Sequence, residues 1–377
     1  MSRCKAARLP AKVMTKNHAT NQQRAALTLV ELLVVIAIIG LLAGLMLTAV
    51  QHSRESVRGA QCRSHLRQLG VGLHSYHAAH KVFPPGCLGE IDDPVNIQGW
   101  GWGTLLLPYL EEQSLYKTLN PNQNSLPAVL VSADLQPYLQ TPLPIFRCAS
   151  DLGDDLQNDH RTLSGFVLTP TTVALADLPP GRGTRFGPPL LLACINPNSP
   201  ANPTGGGESD IYGVRAATSN YVASFGDFWQ PDPAAWTAER FAGNGAFGSN
   251  VARRISDIPD GTSHTFAVGE RSWDAYASIW AGTDGWNRCE REGVSMTMST
   301  AFYPMNSSPE PYYLSCDPKG AAAFGSLHPG GANFLMLDGS VRFVDENIEF
   351  ANAIDPAQLG VYQRLARRHD GMQPGDF

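Results

Sequence analysis

The chain lacks the short motifs by which many enzymes can be recognised from sequence. It contains no G-x-S-x-G nucleophile elbow, H-E-x-x-H zinc motif, Walker loop or C-x-x-C pair. Each of these motifs positions a nucleophile, a metal ion or a phosphate group. We therefore expect no enzymatic activity, assign no catalytic residue, and expect neither a metal ion nor a cofactor.

Acidic residues are absent from residues 1–26, which carry six of the 28 Lys and Arg residues. The other 22 basic residues are outnumbered by 34 acidic residues, so the rest of the chain has a formal charge of −12. Nucleic acids are bound by basic patches, which an acidic body does not favour. We interpret residues 1–26 as a basic leader and exclude nucleic acid as a partner.

Charge is also scarce from Leu27 to Val50, where Glu31 is the only charged residue. As a helix, these 24 residues would be about 36 Å long, enough to cross a bilayer core of about 30 Å. The basic segment before them predicts a cytoplasmic N-terminus and a body outside the cytoplasm. A secretory signal peptide or an uncleaved anchor is an alternative for residues 27–50, but neither accounts for Glu31.

The residues around Glu31 resemble the N-terminus of type IV prepilins. In that alignment the leader is cut between Ala26 and Leu27, and Thr28 and Glu31 are the second and fifth residues of the mature chain. The resemblance implies that prepilin peptidase cleaves the leader and methylates Leu27. It also implies that the carboxylate of Glu31 meets the N-terminal amine of a neighbouring subunit. Ala26 and Leu27 replace the usual Gly and Phe, and translation can start at Met1 or Met14.

Two further patterns concern the helix. Gly40 and Gly44 have the small-xxx-small spacing that lets membrane helices approach closely, although glycines are also simply tolerated there. Residues 51–82 predict an amphipathic continuation that ends near His80, before Pro84-Pro85-Gly86. Its apolar residues recur every three or four positions: Cys62, Leu66, Leu69, Leu73 and Tyr76.

Residues 83–377 are rich in proline and glycine and predict a β-rich, mainly antiparallel globular domain. Residues 219–228 and 263–271 predict strands, and residues 101–116 predict a strand or buried run followed by a short helix from Pro108. Residues 333–344 predict a hairpin with Asp338-Gly339 in a type I′ turn. The predicted fold class is α+β, pilin-like, with the long helix packed on a β-rich head.

His328 is followed, after nine residues, by Asp338-Gly339 within FGSLHPGGANFLMLDGSVRFV. With this H-X9-DG motif the body resembles the prepilin-like family known as domain of unknown function 1559. Other matching segments are CRSHLRQLGVGLHSYHAAHKVFPPG, GWGTLLLPYLEEQSLY, FRCASD, SNYVASFGD and DGTSHTFAVGE. The resemblance implies no catalytic activity. We interpret His328, Asp338 and Gly339 as structural, and an acid/base pair of His328 and Asp338 as the alternative.

Six cysteines follow the leader, and a chain outside the cytoplasm can form disulfides. We predict Cys62 with Cys148, because both lie in family-like segments, and Cys289 with Cys316 as a second pair. The sequence alone leaves 15 full pairings open.

Two clusters offer ligand atoms for metals, but neither has the spacing of a metal site. His74, His77 and His80 drift around the helix with no accompanying carboxylate or cysteine. The acidic run from Asp151 to Asp159 lacks the spacing of a calcium-binding loop, so we interpret it as a solvated loop.

The predicted function is that of a membrane-anchored prepilin-like or pseudopilin-like structural protein of the inner membrane. Its predicted partners are membrane lipid, prepilin peptidase and other pilin-like subunits or secretion machinery. The alternative is a membrane-anchored solute- or glycan-binding module, which seven tryptophans between Trp100 and Trp286 could serve. A hydrolase that uses His328 or His264 is the third option.

Overall fold

The computed structural model describes ten stretches of the chain. These are residues 29–88, 98–156, 163–164, 213–214, 216–227, 243–273, 277–282, 297–307, 323–351 and 356–372. The predicted leader and the residues Ala26, Leu27, Thr28, Cys289 and Cys316 lie outside them. The chain forms two compact units, residues 1–53 and residues 54–377.

The first unit consists, in its described part, of the beginning of helix α1 (Leu29–His80). Every residue from 29 to 53 is exposed, and the large apolar side chains between Leu29 and Val50 expose 46–78% of their surface. This is the one described helix that is long and apolar enough to cross a membrane. An added Cβ atom at Gly40 or Gly44 would meet no described atom within 4 Å.

The remainder of α1 belongs to the second unit and is amphipathic. Its buried residues recur at helical spacing, which confirms the predicted apolar stripe: Gly59, Cys62, Leu66, Leu69, Gly70, Gly72 and Leu73. The glycines bring the helix close to its neighbours, since a Cβ atom at Gly70 would lie 2.9 Å from Leu335 Cδ1. The helix ends at His80, as predicted.

Short strands and helices make up the rest of the described body. The strands are β1 (Leu163–Ser164), β2 (Gly213–Val214), β3 (Thr218–Ser219), β4 (Tyr221–Gly226), β5 (Phe266–Glu270), β6 (Ser278–Ile279), β7 (Met298–Thr300), β8 (Gly331–Met336) and β9 (Val341–Asp345). The helices are α2 (Trp102–Leu106), α3 (Gln113–Leu119), α4 (Leu126–Val131), α5 (Gln136–Leu139) and α6 (Val361–Ala366). Turns of 3-10 helix lie at 107–109, 144–146, 255–257, 262–264 and 356–358.

Five strands form the central sheet in the order β7-β4-β5-β8-β9. The pair β4 and β7 is parallel, while the other three neighbouring pairs are antiparallel. The α+β fold, with a long apolar N-terminal helix and a mostly antiparallel sheet, is therefore as predicted.

The strands β4, β5, β7 and β8 of this sheet are buried on both faces, while the edge strand β9 is largely accessible. Along β4, Tyr221, Ala223 and Phe225 belong to one apolar cluster, which also contains Leu66 of α1, while Val222 belongs to a second cluster with Tyr362 of α6. Because alternate residues of a strand face opposite sides, helices on both sides require apolar residues at nearly every position. This explains why β4 is entirely buried.

The predicted hairpin is present, but its turn is not type I′. Of Asp338 and Gly339, only Gly339 has a positive φ, of 90°. The N–H of Gly339 donates to the carbonyl of Met336, and the N–H of Met336 donates to the carbonyl of Ser340. This is a three-residue loop, in which a tight turn is followed by a left-handed glycine. Asp338 stays right-handed and accepts a hydrogen bond from the N–H of Ser340.

For the first part of residues 101–116, the structure confirms the buried run and not the strand. The segment after Gly101 is helix α2 followed by a 3-10 turn that contains Pro108, with no strand. Trp102, Leu106 and Leu107 are all buried. A short apolar run buried on all sides has no periodicity that distinguishes helix from strand, so the sequence could not decide between them.

Candidate functional site

Four buried side chains from distant parts of the chain meet in the second unit. Cys62 lies on α1, Cys148 follows the 3-10 turn at 144–146, Glu270 ends β5, and His328 precedes β8. Their exposed fractions are 0%, 6%, 1% and 5%, respectively. One potential ligand atom from each lies within 4.8 Å of all the others. We call these four residues the Cys-Glu-His cluster.

The sulfur atoms are at the centre of this cluster. Cys62 Sγ and Cys148 Sγ are 2.7 Å apart, and both residues are free thiols in this structure. Cys148 Sγ lies 3.4 Å from His328 Nε2 and 3.9 Å from Glu270 Oε1. The imidazole and the carboxylate are also neighbours, with 3.5 Å between His328 Nε2 and Glu270 Oε1.

The outer nitrogen of the imidazole has its own partners. Glu55, on α1, places Oε1 2.6 Å from His328 Nδ1, and Ser150 Oγ donates to the same carboxylate oxygen at 2.8 Å. The Nδ1 atom therefore donates its hydrogen to Glu55, which orients the ring and directs Nε2 at the sulfurs and Glu270.

Backbone and amide groups orient the other members. The N–H of Asn333 donates to Glu270 Oε2 at 2.8 Å, and Asn333 Nδ2 donates to Oε1 at 3.0 Å. The N–H of Ala149 donates to Cys62 Sγ at 3.2 Å. The first two contacts stabilise negative charge on the carboxylate, and the third would stabilise it on a thiolate.

The cluster shifts the acidity of its own groups. Burial lowers the pKa of His328, but hydrogen bonds to Cys62 and Glu270 and the nearby carboxylates outweigh it and raise that pKa to about 11. The hydrogen bond from Cys148 lowers the pKa of Cys62 to about 5, against the effect of burial. Burial also opposes ionisation of Glu55, yet hydrogen bonds from Ser150 and His328 lower its pKa. The acidic partners of His328 thus stabilise its protonated form in an enclosed site.

The structure answers part of what the sequence predicted for these residues. It brings Cys62 and Cys148 together, but it has them as thiols, so their disulfide stays a prediction. His328 and Asp338 do not form a pair, because the six-residue strand β8 separates them. Glu270 and Glu55 were missed. For Glu270, one sequence feature was available: it ends the apolar run FAVGE, and a carboxylate in a buried strand needs a partner.

Residues of the histidine cluster and of the acidic run, the two metal-ligand patterns considered from the sequence, make other contacts in the structure. The His77 ring lies 4.8 Å from the ring of Phe83, and His80 Nε2 lies 3.0 Å from the hydroxyl of Tyr109. Asp151 accepts hydrogen bonds from the N–H groups of Gly153 and Trp273. These groups stabilise the local fold, while the last residue of the acidic run, Asp159, lies outside the described residues.

A cavity of about 210 Å³ lies beside Trp273 in the second unit. It is lined by Asp151, Leu152, Gly153, Asp154, Trp273 and Leu327. Trp100, Trp102 and Trp280 are buried in the core, and the other three tryptophans lie outside the described residues. Among the described tryptophans, Trp273 is therefore the one placed to meet a ligand.

Comparison with known families adds two matches. Residues 21–47 match the prokaryotic N-terminal methylation motif, and residues 51–351 match the family described as protein of unknown function (DUF1559). No curated protein and no solved structure matches the chain. The methylation motif implies a pilin-like protein that prepilin peptidase processes, and with the apolar helix it indicates anchoring in the inner membrane. Because the second match covers well over half of the sequence, the chain belongs to the DUF1559 family and carries a prepilin-type N-terminus.

Proposed function

We propose that the mature chain is a structural subunit of a short filament of the type II secretion or type IV pilus kind, with its body outside the cytoplasm. The observation that carries this proposal is the apolar start of α1. Between Leu29 and Val50 this helix exposes every side chain and carries a single carboxylate, that of Glu31.

An exposed apolar helix is stable in only two surroundings, lipid or a bundle of similar helices. A pilin-like subunit would use both, lipid before assembly and neighbouring helices after it. The free N-terminal amine created by cleavage before Leu27 supplies a cation near the level of Glu31. Inside an apolar bundle, a carboxylate and an ammonium group offset each other's cost of dehydration.

The orientation is supported by charge. The six basic residues of the leader precede the apolar helix and have no acidic neighbours within residues 1–26. Positive charge next to a membrane helix is retained in the cytoplasm. The body therefore lies on the opposite side of the inner membrane.

We further propose that the body is not an enzyme. His328 is the motif residue best suited to acid/base catalysis, but it is only 5% exposed. One of its ring nitrogens contacts Glu55, and the other faces the remaining members of the Cys-Glu-His cluster. A general base must reach a substrate proton directly or through one water molecule. These buried contacts favour a structural role for His328.

The assembly proposal is tested by the Glu31→Val variant in cells. The variant should insert and be processed, but its subunit–subunit crosslinks should fall at least about tenfold, as expected for a loss of about 1.4 kcal/mol or more. Thr48→Val is the matched control, because Thr48 Oγ1 donates to the carbonyl of Leu45 in the same helix. Crosslinking of Glu31→Val at the wild-type level would contradict the proposal.

A solute- or glycan-binding role is the second candidate, and the cavity beside Trp273 favours it. An indole ring and the carboxylates of Asp151 and Asp154 are groups that contact sugars. At about 210 Å³ the cavity is smaller than the roughly 300–1,000 Å³ of most ligand pockets, so only a ligand the size of a monosaccharide would fit. Thermal shifts across a sugar panel that disappear in Trp273→Ala would support it.

A further inference from the structure

We propose that Cys62, Cys148, Glu270 and His328 form a structural zinc site. The sequence predicted no metal, because the four residues are separated by 86, 122 and 58 positions along the chain and match no metal-binding spacing. The proposal rests on how the fold brings them together.

The donor set is one that zinc prefers. Zinc binds thiolate sulfur, imidazole nitrogen and carboxylate oxygen, usually four atoms in a tetrahedron. In such a site the distances between ligand atoms are roughly 3.4–3.8 Å. The distances here are 3.4 Å from Cys148 Sγ to His328 Nε2, 3.5 Å from Nε2 to Glu270 Oε1, and 3.9 Å from that sulfur to Oε1.

Another edge of the tetrahedron, between the two sulfur atoms, defines what binding must change. The two sulfur atoms are 2.7 Å apart and would separate to about 3.8 Å around a zinc ion with 2.3 Å bonds to sulfur. A side-chain rotation at Cys62 or Cys148 suffices for a movement of about 1 Å.

The ligand atoms of the four residues face one point. With Nδ1–H donated to Glu55, His328 Nε2 points towards Glu270 and the sulfurs. A metal ion bound there would displace the protons that Nε2 and the thiols carry in its absence. A divalent metal ion at the centre satisfies all four groups at once.

The groups that hydrogen-bond to the four proposed ligands are of the kinds that usually orient metal ligands. Metal-binding histidines almost always donate their other N–H to a carboxylate or carbonyl, as His328 does to Glu55. Glu270 is held by Asn333, and Cys62 Sγ accepts from the N–H of Ala149. Ligands and supporting groups are therefore already oriented for binding.

The site would be closed and therefore structural. Four protein ligands fill a zinc ion, so no position is left for water or substrate. The ligands come from α1, the segment after residue 146, β5 and the loop before β8. Zinc at this point would connect the second half of α1 to the central sheet.

The test is the metal content of the full chain, purified in detergent from the membrane fraction without chelators. One equivalent of zinc per chain is expected. His328→Gln and Glu270→Gln should reduce it to well below half an equivalent. Cys87→Ser is the matched control, because Cys87 is equally buried but pairs with Ser249 Oγ at 3.3 Å, away from the cluster.

A second measurement does not depend on the folding of ligand variants. Cobalt added to the metal-depleted wild-type chain should give the near-ultraviolet thiolate-to-metal band and tetrahedral visible bands, and zinc should abolish both. The supporting variant Glu55→Gln should still bind zinc but about 10–100-fold more weakly.

Two results would overturn the proposal. One is non-reducing peptide mapping that recovers Cys62 and Cys148 in a single disulfide-linked pair from a metal-free chain. The other is a reduced wild-type chain that binds neither zinc nor cobalt stoichiometrically. Either result would assign the cluster to the disulfide expected from the sequence, or to a plain hydrogen-bonded network.

Discussion

At the scale of single residues, the H-X9-DG motif is explained by distances within the fold. His328 precedes β8 and contacts Glu55 of α1, whereas Asp338 and Gly339 form the turn after β8. The nine intervening residues are the length needed to run from the buried cluster along β8 to the hairpin turn. The motif therefore marks two positions at opposite ends of one strand.

Cys87 provides a residue-scale prediction. Burial raises the pKa of its thiol to about 11, from an ordinary value of 9.0. Because the thiolate is the reactive form, at pH 8 it should be alkylated at least about 100-fold more slowly in the folded chain than in the unfolded chain. Peptide mass spectrometry after timed treatment with iodoacetamide measures both rates. Equal rates would show that Cys87 is not buried as described.

At the scale of elements, α1 has two different surfaces on one continuous helix. Its first part exposes apolar side chains on all sides, and its second part buries a single stripe. The two patterns match two environments, apolar surroundings for the first and the protein core for the second.

The buried stripe of α1 can be tested with a pair of variants. Leu66 is 0% exposed, so Leu66→Ala should lower the free energy of unfolding by about 2–5 kcal/mol. Val71 lies on the same helix but is 66% exposed, and Val71→Ala should change it by less than about 0.5 kcal/mol. Thermal and denaturant unfolding of the full chain in detergent measures both. Similar losses in the two variants would contradict the packing of α1.

A second pair of variants tests the hairpin turn after β8. Gly339 has a φ of 90°, and a Cβ atom there would lie no closer than 3.6 Å to His74. The cost of Gly339→Ala is therefore conformational rather than steric, about 1–3 kcal/mol. Asp338→Asn retains the oxygen that accepts from the N–H of Ser340, so its stability should be unchanged. A large loss in Asp338→Asn would indicate a role for its charge.

At the scale of the whole molecule, the sequence was informative where patterns are local. The apolar helix, the amphipathic stripe, the strands β4 and β5 and the hairpin all follow from periodicity and turn residues. The type of turn and the helix after Gly101 could not be predicted in this way, because packing against neighbours decides between conformations that the local sequence permits. Glu270 and Glu55 could not be found as partners of His328, since nothing in the local sequence says which distant carboxylates the fold will bring together.

The two units make different contributions to the proposed function. The N-terminal unit carries the methylation motif and the apolar helix, while the body contains the buried cluster, whose members lie on both α1 and the central sheet. An assembly role requires that the leader is removed, since an unprocessed chain would retain six positive charges ahead of the membrane helix.

The most direct test of the account is therefore N-terminal mass spectrometry of the chain extracted from membranes. Prepilin processing would give a mature chain that begins at N-methylated Leu27, whether translation starts at Met1 or at Met14. A chain that retains its intact leader would contradict it and leave residues 27–50 as an ordinary membrane anchor.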